Sequence, residues 1–269
     1  MAEPAIIFLG TGGDSVVVGK QLRGSGGIIL HVNDYQFHID PGPGALVRAL
    51  QFGVNVRENT AVLVSHAHTN HCNDVNAVLS AMTYNGLDIK GVLVANDTLV
   101  NGLENEPPFL TKFHREMVER IINIKHGQKI GIEDIEIHAL KARHTDPNSL
   151  GFCFLTPNFS MCYSSDTGPS PEVIEQYEKF DILILNSVYP SGQSSKDNLS
   201  CDDVLSIISK VKPKLAVITH FGSKMLQADP LYEARELQKK SGCQVVAAKD
   251  GLSINPLSYA TRQRTLNSY

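Results

Sequence analysis

Three histidines lie within six residues of one turn, and their spacing is that of metal ligands. They are His66, His68 and His71, in the segment VLVSHAHTNHCNDVNAVLSAM that spans residues 62–82. Residues two apart in extended backbone point to the same side, so His66 and His68 can bind one ion together. A solvated surface role fits poorly beside an apolar run, and a zinc finger is excluded because paired cysteines are lacking.

A metal site needs three or four protein ligands, so others must come from elsewhere in the chain. Three candidates each follow an apolar run that predicts a strand: His144, Asp166 and His220. Loops at the carboxyl ends of strands are where α/β folds place their chemistry. Any one of the three could equally be structural, but their shared position at strand ends favours a common site.

The elements that must position these residues are short. Runs of four to six apolar, often β-branched residues, most of them bounded by Gly, Pro, Asn or Asp, predict strands. The predicted strands are Ala5–Leu9, Gly27–Val32, Tyr35–Ile39, Ala61–Val64, Gly91–Ala95, Ile135–Leu140, Gly151–Leu155, Ser160–Tyr163, Asp181–Leu185, Lys214–Thr219 and Gln244–Ala248.

Helical periodicity separates some of these strands. The predicted helices run from Asn73 to Met82, onward from Ser170-Pro171, from Ser200 to Val211 and from Leu231 to Lys240. Asp203 should complete a capping box with Ser200, and Ser241-Gly242 should end the last helix. The polar stretch Asn101–Met117 predicts a surface excursion or lid. Strands alternating with helices predict a mixed α/β architecture, in a single domain over residues 1–269.

The composition is that of an ordinary globular protein, with 42% hydrophobic and 19% charged residues. The net charge of −4 provides no global positive field. Nucleic acid is therefore not indicated as a partner, although a local basic patch stays open.

Five cysteines without a CxxC pair favour a reduced, intracellular protein over a disulfide framework. The N-terminal apolar run at Ala5–Leu9 is too short for the core of a signal peptide. No apolar run approaches the ~18 residues that span a bilayer. We therefore expect a cytoplasmic protein with no membrane partner.

The ligand order, His-x-His-x-x-His followed by His, Asp and His, resembles the metallo-β-lactamase superfamily. The segments FLGTGG and FHIDPGPGAL (Phe37–Leu46) match its opening strands and its Asp-Pro-Gly turn. The resemblance covers nearly the whole chain and is closest to the ribonuclease Z-like, phosphodiesterase-like branch and to uncharacterised archaeal hydrolases. It implies an αβ/βα sandwich of two mixed sheets flanked by helices, with a binuclear metal site in a cleft.

The resemblance also implies a role for each ligand. Carried over by position, His66, His68 and His144 bind one metal, His71 and His220 bind the second, and Asp166 bridges the two. Such a pair of ions can clamp a hydroxide and the oxygens of a displacement. Zinc is the first expectation for both ions, and iron or manganese also suits nitrogen and oxygen ligands.

Asp40 occupies the position of a carboxylate that, by the same resemblance, contacts a ligand imidazole and fixes its tautomer. The alternative is that Asp40 only caps the turn at Pro41-Gly42.

One position departs from the family. Asn70 stands where an Asp usually binds the second metal and orients the catalytic water, so a weaker second site and reduced turnover are expected. Three explanations stay open: a deliberate inactivating substitution, a natural enzyme that runs largely on one metal, or a protein that binds without catalysis. Asp74 could stand in for the missing carboxylate, but a role at a helix N-terminus is favoured.

Two features weaken a tRNA-processing assignment. The ribonuclease Z group usually carries a HEAT-like segment where this chain reads LNSVYPSG, Leu185–Gly192. The long basic arm that binds transfer RNA in that group is also not evident.

Several polar residues adjoin the ligands and could contact a substrate. The candidates are Lys141, Arg143, Ser223, Lys224 and, in the lid segment, His114. Cations there could hold a phosphate or carboxylate, although an isolated Lys or Arg is more often solvated surface. Histidines outside the matching positions are interpreted as structural or surface: His31, His38, His126 and His138.

The sequence therefore predicts a metal-dependent hydrolase that uses a metal-bound hydroxide on a phosphoester or phosphodiester. The expected partner is a small-molecule or nucleotide phosphoester substrate, and a homodimer stays open. One alternative keeps the site but cleaves a lactone, thioester or amide. A second is a metal- or ligand-binding protein without turnover, which Asn70 favours.

Overall fold

The computed structural model describes residues 3–260. The chain divides into two compact units, a first unit of residues 3–125 and 249–254 and a second unit of residues 126–248 and 255–260. One domain over residues 1–269 stays a prediction, and its outermost residues lie outside the described range. Among the described residues, no helix is both long and apolar enough to cross a membrane.

The first unit contains one mixed sheet with helices on it. Its strands are β1 (Ala5–Phe8), β2 (Ile28–Val32), β3 (Tyr35–Ile39), β4 (Asn59–Val64), β5 (Val92–Ala95), β6 (Arg120–Asn123) and the late β15 (Ser253–Ile254). Its helices are α1 (Ser15–Gly19), α2 (Ala45–Gln51), α3 (Thr69–Cys72), α4 (Val75–Thr83), α5 (Asp97–Asn101) and α6 (Lys112–Arg115). The strand order is β15-β1-β2-β3-β4-β5-β6.

Parallel pairing in this sheet runs from β3 to β6, and helices make the connections. The helix α4 buries Val75, Val78, Leu79 and Met82 against β4 and β5. These residues recur at helical spacing, so they form one apolar stripe. Asn73 was expected to be the N-cap of this helix, which is wrong by one residue, since Asp74 is the N-cap and the preceding turn forms α3.

The second unit contains the other mixed sheet. Its strands are β7 (Lys129–Ile132), β8 (Ile135–Lys141), β9 (Leu150–Leu155), β10 (Ser160–Tyr163), β11 (Ile182–Tyr189), β12 (Leu199–Ser200), β13 (Leu215–Thr219) and β14 (Gln244–Ala247). Its helices are α7 (Pro171–Glu175), α8 (Cys201–Val211), α9 (Ser223–Ala228) and α10 (Pro230–Ser241). The strand order is β14-β13-β11-β10-β9-β8-β7, and β12 pairs with β11.

The predicted ends of the second unit's helices are confirmed. Ser200 and Asp203 form the capping box at the start of α8. Ser170 caps α7, with Pro171 as its first residue. Gly242, in the left-handed conformation, ends α10.

The expectation that the cysteines are reduced is wrong at one pair. Cys153 and Cys162 form a disulfide. They occupy β9 and β10, which are antiparallel neighbours, and they are directly opposite each other in register. They are 9 positions apart in sequence, and that spacing alone does not reveal cross-strand register. Cys72, Cys201 and Cys243 are buried thiols.

The predicted lid segment is attached to the first unit. Leu110 is fully buried, and its N–H donates to the carbonyl of Leu99 at 3.2 Å. The side-chain amide of Asn76 in α4 donates to the carbonyl of Phe109 at 3.1 Å. These contacts hold the middle of the stretch against the helices.

Candidate metal centre

The histidine turn lies at the carboxyl end of β4, and Asp40 lies at the carboxyl end of β3. Because these strands are parallel neighbours, both ends meet at one edge of the sheet. The N–H of Asp40 donates to the carbonyl of Leu63 at 2.8 Å, which extends the pairing to the last residues of the strands. Asp40, His66 and His71 are all at most 3% exposed.

The carboxylate of Asp40 binds both the turn and one of its histidines. Its Oδ1 accepts from the N–H of Ser65 at 2.7 Å, and its Oδ2 accepts from the Ser65 hydroxyl at 2.8 Å. His71 Nδ1 lies 2.8 Å from the same Oδ2. A carboxylate can only accept here, so His71 is protonated on Nδ1 and its Nε2 carries the lone pair that a metal needs.

The turn at Pro41-Gly42, which offered the competing role for Asp40, is closed by the main chain. The N–H of Gly42 donates to the carbonyl of Asp40 at 2.8 Å. The side chain of Asp40 therefore accepts hydrogen bonds from the histidine turn, whereas its main-chain carbonyl accepts the bond that closes the Pro-Gly turn.

His66 and His68 share a face, as their spacing predicts. His66 Nε2 lies 3.0 Å from His68 Nδ1. Two nitrogen ligands on one tetrahedral Zn²⁺, each about 2.0–2.1 Å from the ion, lie roughly 3.3 Å apart. The two nitrogens are thus close to the spacing of ligands on a single ion.

Asn70 lies in α3 with its side chain acting as a donor. Its Nδ2 donates to the carbonyl of Gly13 at 3.1 Å, and its own carbonyl accepts from the Ser25 hydroxyl at 2.8 Å. Gly42 is required beside it, because a Cβ at that position would lie 2.0 Å from the main-chain oxygen of Asn70. Close packing and two hydrogen bonds therefore fix this residue.

Asp74 serves a different helix from the one it precedes. Its Oδ2 accepts from the N–H groups of Gly44 and Ala45, both at 2.9 Å, at the start of α2. The carboxylate therefore lies at a helix N-terminus, which is the role that the sequence favoured over metal binding. The helix is α2, however, and not α4, which Asp74 directly precedes.

The second unit brings its three predicted ligands together. The strands β8, β10 and β13 run in the same direction, because β8 and β10 are both antiparallel to β9 and β10 is linked to β13 by parallel pairs. Their carboxyl ends, which carry His144, Asp166 and His220, therefore lie at one edge. Asp166 Oδ1 is 3.1 Å from His220 Nε2, and its Oδ2 is 3.7 Å from His144 Nε2.

Two further contacts orient these ligands. His144 Nδ1 lies 2.7 Å from the carbonyl of Asp197, so Nδ1 carries the proton and Nε2 the lone pair. The side-chain amide of Asn186 donates to Asp166 Oδ1 at 2.8 Å. The Nε2 atom of His144 and Oδ2 of Asp166 can both donate an electron pair to a cation, so this set of atoms fits a metal ion.

The backbone turns sharply where the site residues leave their strands. Asp40 has φ of 53°, His220 has φ of 63°, and Ser165, just before Asp166, has φ of 53°. Residues other than glycine seldom adopt this left-handed conformation, and such strained positions concentrate at functional sites.

The residues predicted to contact a substrate differ in their exposure and in their hydrogen-bond partners. The Lys141 ammonium lies 2.9 Å from both carboxylate oxygens of Glu172. Arg143 and Lys224 are exposed, and Ser223 is half-buried at the start of α9. His114 is held by Thr111 and by Ser80, whose hydroxyl is 3.0 Å from Nε2. Their contact with a substrate stays a prediction.

Sequence reasoning missed Ser65 and Asn186. Both are at most 1% exposed, and both contact a predicted site residue. A polar residue inside an apolar strand, as at Asn186 in ILILNSVY, was the available signal. For Ser65 the signal was the serine directly before the first histidine.

His38 is outside the ligand set and structural, as interpreted from the sequence. It is fully buried in β3, and its Nε2 lies 2.8 Å from the carbonyl of Gly26. Burial lowers the pKa of His38 from 6.5 to about 4, against the opposing effects of that carbonyl and of Asp40 and Asp74.

Comparison with known proteins connects this arrangement to a family. Residues 35–221 match the family described as "Beta-lactamase superfamily domain". An uncharacterized protein of Methanocaldococcus jannaschii is 31% identical over 255 residues, which cover 94% of this chain and 95% of that protein. A ribonuclease Z of Sulfolobus acidocaldarius is 20% identical over 279 residues, covering 88% of this chain and 94% of that protein.

A solved structure shares the fold. The metallo-β-lactamase fold protein YhfI from Bacillus subtilis superposes with a TM-score of 0.78 at 17% identity, covering 94% of this chain and 99% of that one. This likeness confirms the predicted fold class, two mixed β-sheets flanked by helices.

Proposed function

The chain belongs to the metallo-β-lactamase superfamily, and from that membership and its donor set we propose a hydrolase that uses two divalent metal ions to cleave a phosphoester. The family and the similarity to ribonuclease Z support a metal-dependent hydrolase. The proposed ligands are His66, His68, His71, His144, Asp166 and His220, with zinc as the first candidate metal.

The observation that carries the proposal is the carboxylate of Asp166. Its two oxygens face different imidazoles, His220 Nε2 at 3.1 Å and His144 Nε2 at 3.7 Å. A carboxylate that offers one oxygen to each of two ligand groups is suited to bridging two cations. The amide of Asn186 holds one of those oxygens and so keeps the carboxylate oriented.

The chain's own residues supply orientation and proton control. Asp40 holds His71 with its Nε2 lone pair available, and the carbonyl of Asp197 does the same for His144. When bound, two divalent ions would supply the Lewis acidity that activates water and neutralises charge on the scissile group. Ligands fixed in this way need little rearrangement on metal binding, and such outer contacts commonly contribute 10–100-fold in affinity or activity.

The charge of the donor set supports an anionic substrate. Among the six proposed ligands only Asp166 is a carboxylate, and Asn70 adds a neutral amide where an Asp would add a second negative charge. Two divalent ions would therefore keep most of their positive charge, which favours a phosphate over a neutral ester or amide. The similarity to ribonuclease Z points the same way, to a phosphodiester bond.

The test is turnover by the metal-loaded wild-type protein. Protein loaded with zinc, manganese or iron is assayed against bis-p-nitrophenyl phosphate, a short RNA, a lactone and a thioester. Hydrolysis of a phosphodiester, reduced at least ~100-fold in Asp166→Asn, is the expected result. Turnover of the lactone or the thioester, without turnover of a phosphodiester, would show that the proposed scissile bond is wrong. Tight metal binding without any turnover would favour a binding protein.

A further inference from the structure

Ser65 lies between Asp40 and His66, and its hydroxyl contacts both. Its Oγ is 2.8 Å from Asp40 Oδ2 and 2.9 Å from His66 Nδ1. All three side chains are buried, and Ser65 and His66 are fully so.

The protons in this chain of contacts can be assigned from chemistry alone. A hydroxyl has one proton, and an ionised carboxylate can only accept, so the Ser65 proton points to Asp40. The hydroxyl oxygen must then accept from His66 Nδ1–H. His66 is therefore protonated on Nδ1, and its Nε2, the atom that lies 3.0 Å from His68 Nδ1, carries the lone pair.

We propose that Ser65 is a positioning residue, which relays the negative charge of Asp40 to His66 and locks that imidazole in the Nδ1–H tautomer. One carboxylate thereby prepares two histidines with the same tautomer, His71 by direct contact and His66 through the hydroxyl. A hydrogen bond of this kind orients the ring and raises the basicity of the opposite nitrogen.

The relay is separable from the folding of the turn. The main-chain N–H of Ser65 already donates to Asp40 Oδ1 at 2.7 Å, so the backbone stays attached when the hydroxyl is removed. The hydroxyl itself contacts Oδ2 and His66. Removing it should therefore release the ring of His66 more than it disturbs the turn.

The inference rests on the proposed function only in treating His66 as a metal ligand. Its first test needs neither metal nor activity. Imidazole nitrogen shifts, measured by NMR on the metal-free protein at mildly alkaline pH, report the tautomer of each histidine. In the wild type both His66 and His71 should be Nδ1–H. In Ser65→Ala, His66 should shift to a mixture of tautomers, and His71 should stay unchanged as the internal control for an intact turn.

The second measurement is zinc affinity by calorimetry. Ser65→Ala should bind zinc roughly 10–100-fold more weakly, and Ser65→Thr, which keeps a hydroxyl, should recover most of that loss. If Thr disrupts packing, a shift of the His71 signals will reveal it, and the Ala variant then decides the question. An Nε2–H tautomer for wild-type His66, or the same tautomer in wild type and Ser65→Ala, would overturn the proposal, whether or not the protein proves to be a hydrolase.

Discussion

The side-chain amide of Asn70 donates a hydrogen bond to the main-chain carbonyl of Gly13 at 3.1 Å. This bond ties the glycine-rich loop after β1 to the turn that carries the histidines. The same loop is held from the other side by Asp250, whose Oδ1 accepts from the Thr11 hydroxyl at 2.7 Å. The residue that departs from the family pattern thus makes a contact that a carboxylate could not make, because an ionised Asp has no proton to donate.

The first prediction concerns Asn70→Asp, which is isosteric but replaces the donor with an anion. In the metal-free protein the new carboxylate would face the Gly13 carbonyl without a proton between them. We expect a loss of about 1–3 kcal/mol in the free energy of unfolding, the usual effect of leaving a buried polar group unsatisfied. Added zinc should stabilise the variant more than the wild type, since the new carboxylate can serve as a ligand. Chemical unfolding with and without zinc measures both effects.

The matched control for that experiment is Asn158→Asp, which adds the same charge at an exposed position in the second unit. It should change neither the unfolding free energy nor the response to zinc. An Asn70→Asp protein that is as stable as the wild type without metal would show that the bond to Gly13 contributes nothing.

The second prediction is that Asp40→Asn weakens metal binding although Asp40 is not a proposed ligand. The carboxylate accepts from Ser65 twice and from His71, and an amide cannot reproduce all three contacts. Zinc affinity should fall roughly 10–100-fold, as is usual when a contact behind a ligand is lost. Calorimetry on the variant and on an exposed control, Asp34→Asn, measures this. Unchanged affinity in Asp40→Asn would mean that the metal does not depend on the tautomers that Asp40 sets.

The third prediction concerns Asn186, whose amide holds Asp166. Asn186→Leu has a similar volume but removes the hydrogen bond at 2.8 Å to Asp166 Oδ1. The carboxylate should lose its fixed orientation, so bound metal per chain should decrease on dialysis against weak chelator. Elemental analysis of the dialysed protein measures the metal, and Asn186→Asp provides a second variant, in which the added charge repels Asp166. Full metal retention in Asn186→Leu would make this contact dispensable.

Residue order along the chain was enough to predict that three candidate ligands lie at strand ends, because a strand end fixes where a side chain emerges; their role as ligands stays a proposal. His144, Asp166 and His220 each follow an apolar run, and the structure brings them to one edge of one sheet. Of the contacts behind the ligands, only that of Asp40 with an imidazole was expected, from the resemblance; the contacts of Ser65 and Asn186 were not predictable. Whether the hydroxyl of Ser65 points to Asp40 depends on backbone geometry that the sequence pattern does not encode.

The register between strands could not be predicted either, because it also depends on backbone geometry. The disulfide between Cys153 and Cys162 depends on which residues of β9 and β10 are opposite, and composition gave the wrong expectation. The short edge strands β6 and β7 were missed because their residues are half-exposed and lack a continuous apolar run. The ion pair between Lys141 and Glu172 joins residues 31 apart, so only the folded chain reveals it.

The last prediction is a loss of stability on mild acidification that originates at His38. Burial lowers the pKa of His38 to about 4 in the folded protein, whereas in the unfolded chain the pKa has its ordinary value of 6.5. Below pH 6.5, His38 therefore binds a proton in the unfolded state but not in the folded state. Its contribution to the free energy of unfolding is complete above pH 6.5 and is lost as the pH drops toward about 4. The total effect is on the order of 3 kcal/mol. In His38→Gln, whose amide can still donate to the Gly26 carbonyl, the free energy of unfolding should vary less with pH across this window. Urea unfolding at several pH values measures the two slopes. Equal slopes would mean that other groups cause the acid sensitivity, whereas a shallower slope in the variant assigns it to this one buried imidazole.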